Sequence, residues 1–549
     1  VYELERFTIP EIVEKSSSGY AGLTALATAG KPPITYDELE PMTRRVAALL
    51  LLLGAAPGDR VAILAESSPE WGIAYFGISR AACVVVPILT DFTSEQVAVI
   101  LDHSECRILF VSRRNLAKAG QAAEGRVLVA LEDFKAISAP PGFPMPDSLA
   151  AERTMASLVL PVVESEDLAA IVYTSGTTGS PKGVMLSHRN IVHDGWSIRF
   201  IMSIGPEDRL LSVLPMAHTY EFTVGFIYPM MQGSSVHYLD RPPSSSALMP
   251  ALMAIRPTTM LTVPLIIEKV YRSSVKPSLE RISLYSMRAF RPLLERIAGA
   301  KLKRTFGGRL RIFGIGGAPL AEDVAAFLHR IRFPCAMGYG LTETAPLAAG
   351  SGPYDFRVDS IGPAIHGSDI RIADPKPDTG EGEIQIRGPN VMAGYYKDPD
   401  RTAEAFTGDG WFRSGDLGVM DAEGRVAVRG RLKTMILGPS GKNIYPEEVE
   451  AILDSSPFVE ESLVFGDDAG LTALVQLKPE TVARHAGAGP DGAEKTLAAL
   501  LERIKAETNA RLSAFSRISV VKLQSEPFEK TPTQKIKRFL YTREGGNGF

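Results

Sequence analysis

From Arg60 onward, short apolar runs rich in β-branched residues alternate with longer stretches whose apolar positions recur at helical spacing. The runs at 61–64, 168–173, 210–214, 258–263, 310–314 and 336–339 predict strands. Their alternation with helical patterns predicts α/β layers with substantially parallel sheets. Several of these runs end in Gly, Ser or Thr ahead of a helix, the edge where open α/β sheets place their ligands. The apolar run 46–53 lies inside a longer pattern that is polar on both sides, so it predicts a buried helix. After Gly382 the texture changes to shorter strands, 383–387 and 425–428, separated by turn signals, as in a small β-rich subdomain. Pro446 followed by Glu447, Glu448 and Glu450 marks a helix start. These features divide the chain near Lys433, into a large unit at 1–432 and a smaller α+β unit at 433–549. The smaller unit has expected strands at 461–465, 471–477 and 518–523, and a Gly/Ala-rich loop at 483–495.

Size and composition narrow the class. A chain of 549 residues is too long for one hydrophobic core, and 45% hydrophobic with 22% charged residues is an ordinary globular balance. The formal net charge is −4 without a long basic run, which argues against DNA or RNA as a partner. Cys83, Cys106 and Cys335 are scattered, giving neither a disulfide framework nor zinc-ligand spacing. The expected compartment is therefore the reducing cytoplasm. The most apolar run is far short of a bilayer span, no secretory signal is visible, and no strongly basic amphipathic helix stands out. The expectation is a chain without an integral membrane segment; peripheral membrane contact and oligomeric state stay open.

The sharpest local signal is Tyr173-Thr174-Ser175-Gly176-Thr177-Thr178-Gly179-Ser180-Pro181-Lys182-Gly183, between an expected strand and a helix. Three glycines let backbone N–H groups approach an anion, the hydroxyls of Thr174, Ser175, Thr177 and Thr178 donate hydrogen bonds, and Lys182 adds a cation. The pattern suits phosphate, yet it is not the Gly-Lys-Ser/Thr loop of P-loop nucleotide binders. Tyr339 offers a flat face for a base, and Glu343 a hard oxygen for Mg²⁺. Asp416 can accept from two ribose hydroxyls and Arg431 can donate to sugar or phosphate. Taken singly, a Tyr is more often core, an Asp before Leu a turn former and an Arg a solvated charge.

Taken together, the segments resemble the adenylate-forming superfamily, which includes acyl-CoA synthetases, peptide-synthetase adenylation domains and luciferases. The loop at 173–183 is similar to its signature loop, Gly338-Tyr339-Gly340-Leu341-Thr342-Glu343-Thr344 to its second nucleotide motif, and Gly410-Trp411-Phe412-Arg413-Ser414-Gly415-Asp416-Leu417-Gly418 to its ribose motif. Gly430-Arg431-Leu432-Lys433 resembles the hinge motif and Pro532-Thr533-Gln534-Lys535-Ile536-Lys537-Arg538 the catalytic-lysine motif. All five stand in the family's order. The fold implied is a large N-terminal domain of layered α/β subdomains with a β-rich subdomain, and a small mobile α+β C-terminal domain.

The activity implied is ATP-dependent conversion of a carboxylic acid to acyl-AMP and pyrophosphate, followed by transfer to coenzyme A, with ATP, Mg²⁺ and CoA as cofactors. Catalytic roles fall to Lys535, Lys182 and His218. Nucleotide contacts fall to the 174–179 loop, Gly317, Ala318, Tyr339, Gly340, Thr342, Asp416, Arg431 and Lys535, the metal to Glu343, and the hinge to Lys433. Lys530, Lys537 and Arg538 lie beside Lys535, so charge alone does not select it; Gln534 and Thr434 depart from the family's usual Gly and acidic residue. Leu214-Pro215-Met216-Ala217-His218-Thr219-Tyr220-Glu221 and Gly441-Lys442-Asn443-Ile444-Tyr445-Pro446 are most similar to the long-chain fatty acyl-CoA synthetase branch. An apolar helix carrying Phe222, Val224 and Phe226, beside Ile315 and Gly316, either walls an alkyl tunnel or is plain core. The rival readings are an acyl-AMP ligase that loads a carrier protein and an inactive nucleotide-binding scaffold. Asp147-Ser148-Leu149 matches a carrier attachment triplet but lacks a surrounding helical module.

Overall fold

The alternation of strand and helix patterns resolves into two eight-stranded, mostly parallel sheets in a computed structural model that describes residues 2–141, 159–174, 182–241, 244–437, 443–467, 470–486, 490–531 and 535–542. One sheet runs in the order Leu347–Ser351, Cys335–Gly340, Ile312–Ile315, Thr259–Thr262, Arg209–Ser212, Ser235–Tyr238, Thr24–Thr28 and Ile34–Thr35. Only its two outermost pairings are antiparallel. The other runs Gly394–Tyr395, Lys182–Ser187, Leu168–Thr174, Val84–Ile88, Arg60–Leu64, Ile108–Val111, Val127–Ala130 and Lys135–Ser138. Both sheets are dominated by fully buried Val, Ile, Leu and Ala, as expected of parallel strands covered on both faces.

A five-stranded antiparallel sheet follows, Gly362–Pro363, Arg425–Arg431, Phe412–Met420, Gly382–Arg387 and Asp369–Ala373 in spatial order, where the short-strand texture after Gly382 predicts a β-rich unit. Beyond it, Val459–Asp467, Gly470–Leu477 and Ile518–Leu523 form a three-stranded sheet that shares an apolar core with the helices Pro446–Asp454 and Pro490–Asn509. Pro446 stands in the first turn of its helix, with Glu447 and Glu448 at the positive end of the helix dipole.

Two readings are corrected, and one strand has no counterpart among the expected ones. The strand expected at 210–214 stops at Ser212, because the Leu214 carbonyl and the Met216 N–H are taken by the Ser67 hydroxyl, which turns the chain out of the sheet. The stretch 483–495 is not one loop: the helix Pro479–Ala486 includes its first four residues, and Pro490–Asn509 is helical through residues 490–495. The central strand Val84–Ile88 escapes a pattern reading because Pro87 argues against strand interiors. It is tolerated where pairing with Leu168–Thr174 is confined to Val85 and Ala170, while pairing with Arg60–Leu64 runs the full strand. Among the described residues no helix is long and apolar enough to cross a membrane.

The expected buried helix is Tyr36–Leu52, and it packs closely on Pro69–Arg80. At the crossing, a Cβ added to Gly77 would lie 2.4 Å from Val46 Cβ and 3.0 Å from the Thr43 carbonyl oxygen. Gly77→Leu is therefore expected to lower stability by about 2–3 kcal/mol or more through overpacking, read as a fall in the thermal midpoint; a midpoint equal to the parent's would contradict this packing.

Candidate active site

The hairpin Leu168–Thr174 and Lys182–Ser187 sets the two ends of the phosphate-type loop, with Thr174 directly opposite Lys182. Ser175, Gly176, Thr177, Thr178 and Gly179 lie outside the described residues. Lys182 directs its ammonium over the Tyr395 ring, 5.1 Å from the centroid. Partial burial lowers the Lys182 pKa, and nearby Glu343 opposes that shift. The Tyr395 hydroxyl donates to Glu343 Oε1 at 2.9 Å. Tyr395 thus joins the loop's cation to the expected metal ligand. Its sequence offered no motif, and it arrives by the two-residue edge strand Gly394–Tyr395 pairing with Val184 and Met185.

Tyr339, Gly340, Thr342 and Glu343 sit where the strand Cys335–Gly340 turns into the short helix Thr342–Thr344. The turn is clamped from several sides. Asn390 donates to the Thr344 and Leu347 carbonyls, Thr223 to the Ala345 carbonyl, and Leu347 N–H to the buried Asp194 carboxylate. Gly340 admits no side chain, since a Cβ there would lie 1.8 Å from the Pro346 carbonyl oxygen. Gly317, at φ +87°, and Ala318 are exposed just past the neighbouring strand Ile312–Ile315.

Asp416 and Arg431 face each other across adjacent strands of the five-stranded sheet. Asp416 Oδ1 forms an ion pair with Arg431 Nε at 2.8 Å, and Oδ2 accepts from the Tyr339 hydroxyl at 2.8 Å. Burial raises the Asp416 pKa, with Arg431 and Tyr339 offsetting it. Each carboxylate oxygen retains further acceptor capacity. Lys433 follows in a turn whose Thr434 hydroxyl donates to Glu447 Oε1 at 2.8 Å.

The structure separates the four basic residues of the C-terminal segment. Lys530 pairs with Glu461, Lys537 with Glu529 and Arg538 with Glu450, whereas Lys535 forms no ion pair among the described residues. The Lys535 ammonium is held below the ordinary lysine pKa by desolvation and by Arg431, with Asp416 acting the other way. Lys535 also acts on His218, whose pKa falls to about 4 through burial and the charge of that lysine. Its Nδ1 accepts the Tyr220 backbone N–H at 3.2 Å, so neutral His218 carries its proton on Nε2.

The five expected acyl-chain residues do not form one wall. Tyr220–Ile227 is a π-helix that sends Phe222 against Trp71 and Tyr75, with ring centroids 5.8 and 4.0 Å away, and Phe226 against Phe76 at 4.9 Å. Val224 packs in a second cluster with Tyr228 and Leu261, and Ile315 in a third with Phe313. Phe222, Val224 and Phe226 are each packed among buried neighbours, and Phe222 also lines a small apolar cavity with Trp71, Tyr75 and Met216. Gly316 is different: its missing side chain makes room for Tyr220, whose Cζ a Cβ would approach to 3.2 Å. Gly314 likewise accommodates the Tyr220 hydroxyl, so the ring of Tyr220 lies on a glycine floor next to His218.

Residues 13–396 match the family described as AMP-binding enzyme, and residues 434–544 match the AMP-binding enzyme C-terminal domain. The chain is 31% identical to the long-chain-fatty-acid–CoA ligase FadD15 of Mycobacterium bovis, over 92% of this chain and 90% of that protein. It is 28% identical to the human long-chain-fatty-acid–CoA ligase 1, over 92% of this chain and 80% of that protein. Among solved structures it is similar to ATP-bound MatB from Rhodopseudomonas palustris, with a TM-score of 0.76, 24% identity and coverage of 98% and 99% of the two chains. The fold is that of the adenylate-forming enzymes.

Next to Tyr220, Glu221 is 1% exposed, and neither carboxyl oxygen has a well-formed hydrogen bond. Burial lifts its pKa from 4.5 to about 8, offset only in part by the Ser212 hydroxyl. Because the folded chain binds this proton more tightly than the unfolded one, stability falls as pH rises from about 4.5 to about 8 and then levels. Glu221→Gln is expected to raise the thermal midpoint by several degrees at pH 8 and to leave it unchanged at pH 4; an equal shift at both would place the cause elsewhere.

Proposed function

The chain belongs to the AMP-binding enzyme family and is an AMP-forming acid–thiol ligase, and we propose that its acid is a medium- or long-chain fatty acid and its thiol coenzyme A. The observation that carries the catalytic assignment is that Lys535 forms no ion pair among the described residues and lies within electrostatic reach of Asp416, Arg431 and His218, while its three basic neighbours are neutralised by carboxylates.

In the first half-reaction a substrate carboxylate oxygen attacks the ATP α-phosphorus, and the bond from that phosphorus to the bridging oxygen of pyrophosphate breaks. Negative charge accumulates around the α-phosphate, where Lys535 supplies a fixed cation. Asp416 and Arg431 hold the ribose, Tyr339 supports the base, and Thr174, Lys182 and the loop between them hold the outer phosphates. Glu343 suits the Mg²⁺ that accompanies ATP. One oxygen is anchored by Tyr395, the other has no partner among the described residues, and Mg²⁺ is commonly held by one or two carboxylates plus substrate phosphates. Neutral His218, proton on Nε2, donates to the substrate carboxylate without adding a competing charge.

In the second half-reaction the CoA sulfur attacks the acyl carbonyl, the carbonyl-to-phosphate oxygen bond breaks, and AMP leaves while the thiol proton passes to solvent. We assign the hinge between the two halves to Lys433, with the mobile unit running from 433 to 549. A hinge there withdraws Lys535 and opens the carbonyl to the thiol. The fatty-acid assignment is supported by the relatives named above and by the apolar surroundings of Tyr220 and Gly316.

The first test is a panel of acids from acetate to palmitate, plus benzoate, followed by pyrophosphate and AMP release with and without CoA. A maximum on a fatty acid with strong CoA dependence is expected. A maximum on acetate or benzoate sinks the fatty-acid reading, and pyrophosphate release indifferent to CoA points to a carrier protein as acceptor. Lys535→Ala should lower acid-dependent pyrophosphate release by about 10²–10³-fold, as loss of a preorganised charge does. The parent's release should decline at a pH below the usual lysine range, since deprotonation removes the cation. Lys535→Ala retaining parental release would reject the role.

A further inference from the structure

The helix Pro446–Asp454 is tied to its surroundings at three places along its length. Near its start, Glu447 Oε1 accepts from the hydroxyl of Thr434, the residue after Lys433. In its middle, Glu450 pairs with Arg538, whose Nη1 also donates to the Val464 carbonyl at 3.2 Å. Arg538 closes the segment that carries Lys535, in which the Thr531 N–H donates to the Lys535 carbonyl and the Lys537 N–H to the Glu529 carbonyl. At the far end of the helix, the Asp454 carbonyl accepts from Arg272 Nη1 at 2.7 Å. Of these partners Arg272 alone precedes Lys433, and it lies 182 residues from Asp454 along the chain.

The Arg272 contact is directed from both sides. The last four carbonyls of a helix have no partner within it and carry the negative end of its dipole, so a guanidinium there makes a charge-assisted bond. Arg272 stands on the π turn Tyr271–Val275, and its other arm, Nη2, is drawn to Asp323 Oδ1 at 3.6 Å, on the helix Glu322–Arg330. Its side chain is 23% exposed, so the bond is partly shielded from water. Position makes the contact selective. Nine helical residues span about 13 Å, so a rotation near Lys433 moves the Asp454 end of the helix farther than the end at Pro446. A second bond, from the Tyr445 hydroxyl to Glu381 Oε2 at 2.7 Å, sits at the near end, where a rotation displaces it less. A bond whose acceptor is a backbone carbonyl has no residue signature, which is why no motif points to Arg272.

We propose that Arg272 is a positioning residue: its bond to the Asp454 carbonyl latches the segment beyond Lys433 in the orientation that sets Lys535 within reach of Asp416. The helix passes that orientation to Lys535 through Glu450 and Arg538, and breaking the latch frees the segment for the thioester-forming half. The inference rests on the two half-reactions and the hinge proposed above, and it is indifferent to which acid is activated.

The test compares Arg272→Ala and Arg272→Lys with the parent in each half-reaction: acid-dependent pyrophosphate release, and thioester formation from preformed acyl-AMP and CoA. Arg272→Ala is expected to lower kcat for pyrophosphate release about tenfold with the KM for ATP unchanged, as loss of a charged hydrogen bond does. Thioester formation should stay at or above the parent's rate, which shows that the variant folds, and Arg272→Lys, which keeps a cationic donor, should recover most of the loss. Parental pyrophosphate release by Arg272→Ala, or an equal fall in both halves, overturns the latch. A second readout needs no turnover. Spin labels on Arg296→Cys and Glu502→Cys, both exposed, report the distance across Lys433, while the three native cysteines are buried. Arg272→Ala should add a population at a new distance that Arg272→Lys lacks; distributions identical to the parent's overturn the proposal. If the distances shift as expected while the parent releases pyrophosphate with no acid, the latch stands and the ligase reading fails.

Discussion

The buried carboxylate of Asp416 is the point on which the arrangement depends. It belongs to the five-stranded sheet, it accepts a hydrogen bond from Tyr339 at the edge of an eight-stranded sheet, and it shares its charge with Arg431 and Lys535. An isolated carboxylate at 4% exposure carries a large desolvation penalty, and its partners are what make it tolerable. Three separately folded layers are therefore referred to one charged atom pair. If Asp416 were neutral and apolar, Arg431 would have no reason to turn inward, and Lys535 would face an uncompensated guanidinium. The site's electrostatics and the relative placement of its layers rest on the same interaction.

Much of this was legible in the residues. The strands whose apolar runs end at a ligand-binding edge, such as Ile312–Ile315 and Cys335–Gly340, announce themselves by composition and by the glycines that follow. Asp416 and Arg431 stand in motifs, and so does Lys535. What could not be read is which residues meet across sequence-distant elements. Tyr395 contacts Glu343 and Lys182 only because a two-residue edge strand docks on the loop hairpin, and two residues have no periodicity. The choice of Lys535 among four cations needs Glu461, Glu529 and Glu450 in place, and two of those belong to other elements of the C-terminal unit.

The helix beginning at Tyr220 shows why composition alone does not reveal how the expected acyl-chain residues are distributed. An apolar helical run suggests one face, but the wider π turn distributes Phe222 and Phe226 to one cluster and Val224 to another. The same geometry leaves Tyr220 on the glycines of the neighbouring strand and buries Glu221 against Gly225, where a Cβ would come within 2.9 Å of the carboxyl carbon. π turns give up regular backbone geometry and recur at functional sites. Here the turn begins two residues beyond His218, so the irregular backbone and the neutral imidazole occupy one short segment.

Charge is managed in opposite ways at the two ends of the molecule's chemistry. At the site, Arg431, Lys530 and Arg538 are matched by carboxylates, whereas Lys535, Lys182 and Lys433 form no ion pair among the described residues and keep their field for a phosphate that is itself strongly anionic. A neutral His218 fits that arrangement: a second positive charge beside Lys535 would depress the lysine further and reduce the very field it supplies. Burial is the main cause of the histidine's neutrality, and the lysine's charge adds to it. A substitution that added a carboxylate beside Lys535 would therefore quench the lysine's field while burial still kept His218 neutral.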